Sequence, residues 1–188
     1  KADISIREYL EKHLRGFFVD RVEIERGPNI YRIVVKTARP GLIIGRNGEG
    51  AIKLKDDLLA LLRRIKVSLP KEFKLDIEEV KHPETHAALA AQMVAEGLEK
   101  RLPFKRVVKQ VIEKAMASKL ALGVKVTVAG RLGGSDIART ETVKKGRLPL
   151  QTLRADIDFA REKAYLAYGV IGIKVWIYRG DIFPTEAK

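Results

Sequence analysis

Ile43-Ile44-Gly45-Arg46-Asn47-Gly48 is the stretch on which the reading of this chain turns: two glycines three apart, with a cation and an amide between them. Glycine has no Cβ, so such a turn brings backbone amides close to an anion, and the N-terminus of a following helix adds partial positive charge. Arg46 supplies a full charge, and Asn47 tolerates the positive φ that the turn needs. The spacing alone is weak, because most such glycine pairs are ordinary turns. Its flanks give it weight. Upstream, Ile30 to Thr37 is β-rich through Tyr31, Ile33, Val34 and Val35, breaks at Pro40-Gly41, and is expected to resume as a strand over Leu42-Ile43-Ile44. Downstream, Ala51, Leu54, Leu58, Leu62 and Ile65 fall at steps of three and four, one face of a helix.

Ser5-Ile6-Arg7-Glu8 has capping-box spacing, and Ile6, Leu10, Leu14 and Phe17 continue it as an opening amphipathic helix. Val22 to Glu25 alternates as a strand, Gly27-Pro28-Asn29 is a turn signal, Leu69-Pro70 ends the helix after the loop, and Phe73 to Ile77 alternates again. The order is helix, strand, strand, Gly-x-x-Gly, helix, strand. Over residues 1-80 it resembles a KH domain of the prokaryotic (type II) variety, whose loop clamps about four nucleotides of single-stranded backbone. That resemblance makes Gly45, Arg46, Asn47 and Gly48 the expected RNA-binding loop.

Charge points the same way. The 188 residues carry 37 Lys+Arg against 24 Asp+Glu, a net of +13 with 46% hydrophobic residues, so the chain has material for one or two cores and the footprint of a polyanion binder. No apolar run approaches the ~18 residues of a membrane span, so no membrane partner is expected. With no cysteine there is neither a disulfide framework nor a thiolate zinc site, and a cytoplasmic setting is expected. The excess is uneven: 10 basic and 7 acidic groups in residues 1–50 give +3, 9 and 9 in 51–100 give 0, 12 and 3 in 101–150 give +9, and 6 and 5 in 151–188 give +1. If phosphate contacts dominate affinity, the stronger electrostatic grip belongs to the segment after the loop.

His82-Pro83 marks the expected start of a second domain, 81-188. Ala90, Met93, Val94, Gly97 and Leu98 make one apolar stripe with small residues beside it, and Phe104, Val107, Val108, Val111, Ile112, Ala115 and Met116 make another after Pro103. Three alternating runs follow: Val124 to Val128; Leu153, Ala155 and Ile157; Ile171 to Ile177. Arg139 to Leu148 is a weaker strand candidate. The fold class expected is therefore α+β in two domains, the second with two helices packed on a mainly antiparallel sheet.

Several groups invite chemistry. Gly130-Arg131-Leu132-Gly133-Gly134-Ser135 is glycine-rich but lacks the Gly-Lys-Ser/Thr ending of a phosphate loop, and the favoured reading is a turn that lets Arg131 meet a polyanion, with Arg139, Lys144, Lys145 and Arg147 behind it. His82 and His86 have helix-face ligand spacing but no further ligand set, so they are read as solvent-facing or capping residues. Asp156 and Asp158 share a strand face and are expected to pair with Arg154 or Lys174 rather than hold magnesium. No metal or cofactor is expected. Lys105, Arg106 and Lys109 fall on one helix face, with Glu113 the only acid within reach on that helix.

The strings Val126-Thr127-Val128-Ala129-Gly130-Arg131-Leu132-Gly133-Gly134, Gly146-Arg147-Leu148-Pro149-Leu150, Thr152 to Asp158 and Tyr168 to Trp176 closely resemble the S three family of bacterial small-subunit ribosomal proteins. The match runs over nearly the whole chain. It implies a non-enzymatic constituent of the small-subunit head that binds small-subunit rRNA, with neighbouring head and mRNA-entrance proteins as partners. It also implies that Lys105, Arg106 and Lys109 face entering mRNA and assist unwinding. Arg131, Arg139, Lys144, Lys145, Arg147 and Arg154 are then the expected rRNA-binding residues. Family members open with a basic segment before the first helix; this chain starts at Lys1, and contacts made by such a segment are not assigned. The alternatives are a free KH-type RNA-binding regulator, and a DNA-repair lyase or nuclease using Asp156 and Asp158.

Overall fold

A computed structural model describes residues 2–27, 30–65 and 72–183. The chain divides into two units, Lys1–Lys81 and His82–Lys188. The expected break at Leu69-Pro70 and the centre of the Gly27-Pro28-Asn29 turn lie outside the described residues.

In the first unit the β-rich run becomes β2 (Ile30–Thr37), antiparallel to β1 (Val19–Arg26) and parallel to β3 (Glu72–Glu79), in the order β1-β2-β3. As the central strand β2 supplies Ile33 and Val35 to the core with no exposed area. Two helices meet them: α1 (Ala2–His13) through Ile6 and Leu10, and α3 (Glu49–Arg64) through Leu54, Leu58 and Leu62. Each such buried aliphatic side chain stabilises the unit by about 1.5–3 kcal/mol.

Two local expectations are corrected. Leu42-Ile43-Ile44 is no strand but the end of a short helix, α2 (Pro40–Ile44). Pro40 presets φ for the first helical turn and lacks the N–H that position leaves unused. Only Ile43 enters the core, and one apolar residue between two exposed ones reads alike in either structure. The opening helix also starts at Ala2 and stops at His13, so Ser5 lies inside it instead of capping it, and Phe17 follows its end.

The second unit is a four-stranded antiparallel sheet, β4 (Gly123–Gly130), β5 (Arg139–Gly146), β6 (Ala155–Leu166) and β7 (Gly169–Asp181), in the order β5-β4-β7-β6. After a 3₁₀ turn at Pro83–Thr85, α4 (Ala87–Glu99) and α5 (Phe104–Ala117) cover one face. Val124, Val126 and Val128 of β4 and Ile171, Ile173, Val175 and Ile177 of β7 point under the helices. A Cβ on Gly97 would lie 2.7 Å from Val107, so glycine there sets how closely α4 and α5 approach. The fold class is α+β in two domains, as the patterning indicates. β6 departs from its expected limits: Leu153 lies outside the strand and is fully exposed, and the strand continues to Leu166. Its helix-facing positions include the small Ala160 and Ala164, which give little apolar alternation to read.

Candidate nucleic-acid interface

The Gly-x-x-Gly loop takes backbone conformations that explain its residues. Gly45 sits at φ 72, ψ −171, a region open essentially to glycine alone, and Asn47 (φ 53) and Gly48 (φ 80) are left-handed. Arg46 and Asn47 are exposed at the tip. Gly48 occupies the N-cap of α3 without a side-chain cap; the Glu49 amide donates to the Arg46 carbonyl, which closes the turn onto the start of the helix. Glu49 begins α3, however, and its charge offsets that of Arg46. The loop is therefore a geometric device with little net charge. Gly50, which sequence reading passed over, is part of it: a Cβ there would fall 2.4 Å from the Ile43 carbonyl oxygen. The signal was present as the spacing Gly45-x-x-Gly48-x-Gly50. Just beyond, Ala51, Ile52 and Lys55 of α3 face Phe73, Lys74, Leu75 and Asp76 across a groove of about 270 Å³. Ile52 is 60% exposed, so the groove offers an apolar wall beside the loop. Elsewhere in this unit the strand charges pair internally: Arg32 with Asp76, Lys36 with Glu23 at 2.8 Å, Lys74 with Glu72 at 3.0 Å.

The second unit holds its cations differently. Val107, Val108, Val111 and Ile112 anchor α5 to the sheet and leave Lys105, Arg106 and Lys109 exposed. Among the described residues none of the three makes an ion pair with an acid. Lys100 does, with Glu96 one turn earlier, and so does not extend the patch. The Arg139 guanidinium lies 5.7 Å from the Phe104 ring centroid, which places the start of β5 beside the first turn of α5. Gly130 pairs with Arg139 across β4 and β5, so Arg131 follows at the same end. Its guanidinium is turned back on its own loop: it donates to the Ser135 carbonyl at 2.9 Å, the Tyr168 carbonyl and Asp136 at 3.2 Å each.

Lys144 and Lys145 lie near the far end of β5 with their side chains on opposite faces, and Arg147 follows the strand. Arg154 pairs with Asp181 at 3.2 Å beside the Phe183 ring. The Asp181 carboxyl is held below the ordinary carboxylate range, first by the hydrogen bond that Tyr178 donates and then by Arg154. The thirteen expected site residues thus form three groups: the loop, the α5–Arg139–Arg131 end, and the Lys144–Lys145–Arg147–Arg154 end.

Asp158 has a different role from the one its spacing suggests. A bulge opposite Asp156 and Ile157 leaves Arg179 as the extra residue of β7. Arg179 donates to Asp158 at 2.7 Å and to the Thr85 carbonyl at 3.2 Å, and Asp158 also accepts the Ala87 amide at 2.8 Å. The carboxylate therefore caps α4 from across the sheet, and its partners are neither Arg154 nor Lys174, which are bound to Asp181 and turned to the other face respectively. A register irregularity is invisible to period-two reading. His82 takes a left-handed conformation (φ 55) and His86 precedes α4, and neither side chain makes a capping hydrogen bond.

Helix, two strands, glycine turn, helix and a parallel third strand define a type II KH protein that carries a second α+β domain. The KH domain family model matches residues 5–85, and the model described as ribosomal protein S3, C-terminal domain, matches residues 94–177. Small ribosomal subunit protein uS3 of Pseudomonas paraeruginosa is 46% identical over 181 residues, 96% of this chain and 76% of that protein. Its counterpart from Caldicellulosiruptor bescii is 45% identical over 185 residues, 98% of this chain and 80% of that protein. The chain belongs to the uS3 family of small ribosomal subunit proteins.

Proposed function

We propose that this protein is a non-enzymatic constituent of the cytoplasmic small ribosomal subunit that binds rRNA in the head and touches mRNA where it enters. The observation that carries the reading is the first two turns of α5, where Lys105, Arg106 and Lys109 stand exposed and, among the described residues, without acidic partners. A fixed cationic face of this kind attracts separated strands and makes their re-pairing less favourable, with no nucleotide hydrolysis by this chain. Arg139 and the partly exposed Arg131 extend that end, and Lys144, Lys145, Arg147 and Arg154 offer a second basic region to rRNA. The Gly45–Gly48 loop supplies amides and shape, with neighbouring head and mRNA-entrance proteins as further partners.

Ribosomes carrying the Lys105→Ala, Arg106→Ala, Lys109→Ala variant should slow more on structured than on unstructured mRNA. Equal slowing on both would remove the unwinding role. Cofractionation with small subunits at high salt is expected of a constituent, and its loss would favour a free RNA-binding regulator.

A further inference from the structure

Strand register fixes what the sheet face away from α4 and α5 carries. Across β5, β4, β7 and β6, Lys144, Lys125, Trp176 and Phe159 form one transverse row, and Thr142, Thr127, Lys174 and Arg161 the next. A third row, Thr140, Ala129, Gly172 and Lys163, is small over three of its four positions. No Asp or Glu occupies any of the three rows. In the first row Phe159 is 47% exposed, its ring 5.1 Å from that of Trp176 at a tilt of 34°, and Lys125 Nζ lies 4.9 Å from the Trp176 centroid. Neither ring belongs to the helix-side core, whose β4 and β7 members, Val124, Val126 and Val128 with Ile171, Ile173, Val175 and Ile177, point to the opposite face.

We propose that this open face is a second RNA-binding surface, for single-stranded RNA, distinct from the loop and from the α5 face on the other side of the sheet. Phe159 stacks an unpaired base beside Trp176, while Lys144, Lys174 and Arg161 hold the flanking phosphates. Charge selects a polyanion, since the three rows bring cations and no acid. The aromatic pair selects an unpaired base: a duplex would satisfy the cations but leave the Phe159 ring uncovered. The small third row gives the strand room to pass close to the sheet.

The inference shares with the proposed function only the premise that the second unit binds RNA, and Trp176 allows the two to be separated. It is the sole tryptophan of the chain, so its emission reports on this face alone. The full chain is titrated with a labelled single-stranded oligouridylate while tryptophan emission and label anisotropy are followed together. Expected is a saturable quench accompanied by a rise in anisotropy, with a midpoint about tenfold weaker in Phe159→Ala and restored in Phe159→Tyr. Arg161→Ala with Lys174→Ala should lower the salt slope by about 1.4, and a duplex should not quench. Anisotropy without quench overturns the sheet surface and leaves the proposed function standing; neither signal overturns both. A quench produced by a purified neighbouring small-subunit protein, and not by RNA, assigns the face to protein and overturns the inference.

Discussion

Removing the three cations of α5 should change the salt dependence of RNA binding by a calculable amount. Lys105, Arg106 and Lys109 are exposed, lie at helical steps of one to four residues, and make no ion pair among the described residues. Each can neutralise one phosphate, and a single strand releases about 0.7 counterion per phosphate neutralised. Replacing all three by Ala should therefore reduce the slope of log affinity against log salt by about 2. All three side chains are exposed, so thermal melting should be unchanged within the ~0.5 kcal/mol typical of surface substitutions. The assay is binding of the full chain to a single-stranded oligonucleotide at several salt concentrations, with circular dichroism as the folding control. A slope that stays constant while affinity falls would mean that these cations act through something other than phosphate neutralisation. A wholly unchanged curve would refute the α5 face as an RNA contact.

Gly50→Ala should disturb the loop as strongly as a change in Gly45, because its Cβ would collide with the Ile43 carbonyl; RNA protection around the loop is the readout, and intact protection would show that the loop tolerates a displaced helix start. Arg46→Asp with Asn47→Asp should weaken contact at the loop and leave the fold intact, since both side chains are exposed, and an unchanged footprint there would exclude a clamp. Asp158→Ala should destabilise the second unit by about 2 kcal/mol, the scale of a lost charged hydrogen bond plus a helix cap, measured by denaturant unfolding. If it unfolds like the native chain, the cap across the sheet is not a stabilising contact. Asp181 titrates below the usual carboxylate range, so its contribution is fully present above the unfolded value near ~3.9 and is lost as pH falls through the lower folded value. Tyr178→Phe should raise that folded value in an NMR titration, and no movement would show that the phenol hydrogen bond does not set it.

Much of the molecule is legible in its sequence alone. Central strands such as β2 and β4 are read correctly because one or both faces are buried, which forces Val and Ile into a period of two, and the spacing of Leu54, Leu58 and Leu62 does the same for α3 at 3.6. The sequence by itself also determined the loop, since only glycine occupies the conformation found at Gly45 and few residues besides asparagine share that at Asn47. It likewise located the excess charge, because charge is a property of composition. What it left undecided depends on partners distant in the chain. Pro40–Ile44 became a helix because the exit from β2 had to turn back over the core; Asp158 found Arg179 and the Ala87 amide because a bulge shifted the register and brought residues 71 apart in sequence together. The row of Lys144, Lys125, Trp176 and Phe159 exists only after four strands pair in a fixed register. Periodicity tells each strand which side is buried, but only the pairing of strands decides which residues then stand next to one another on the side left open.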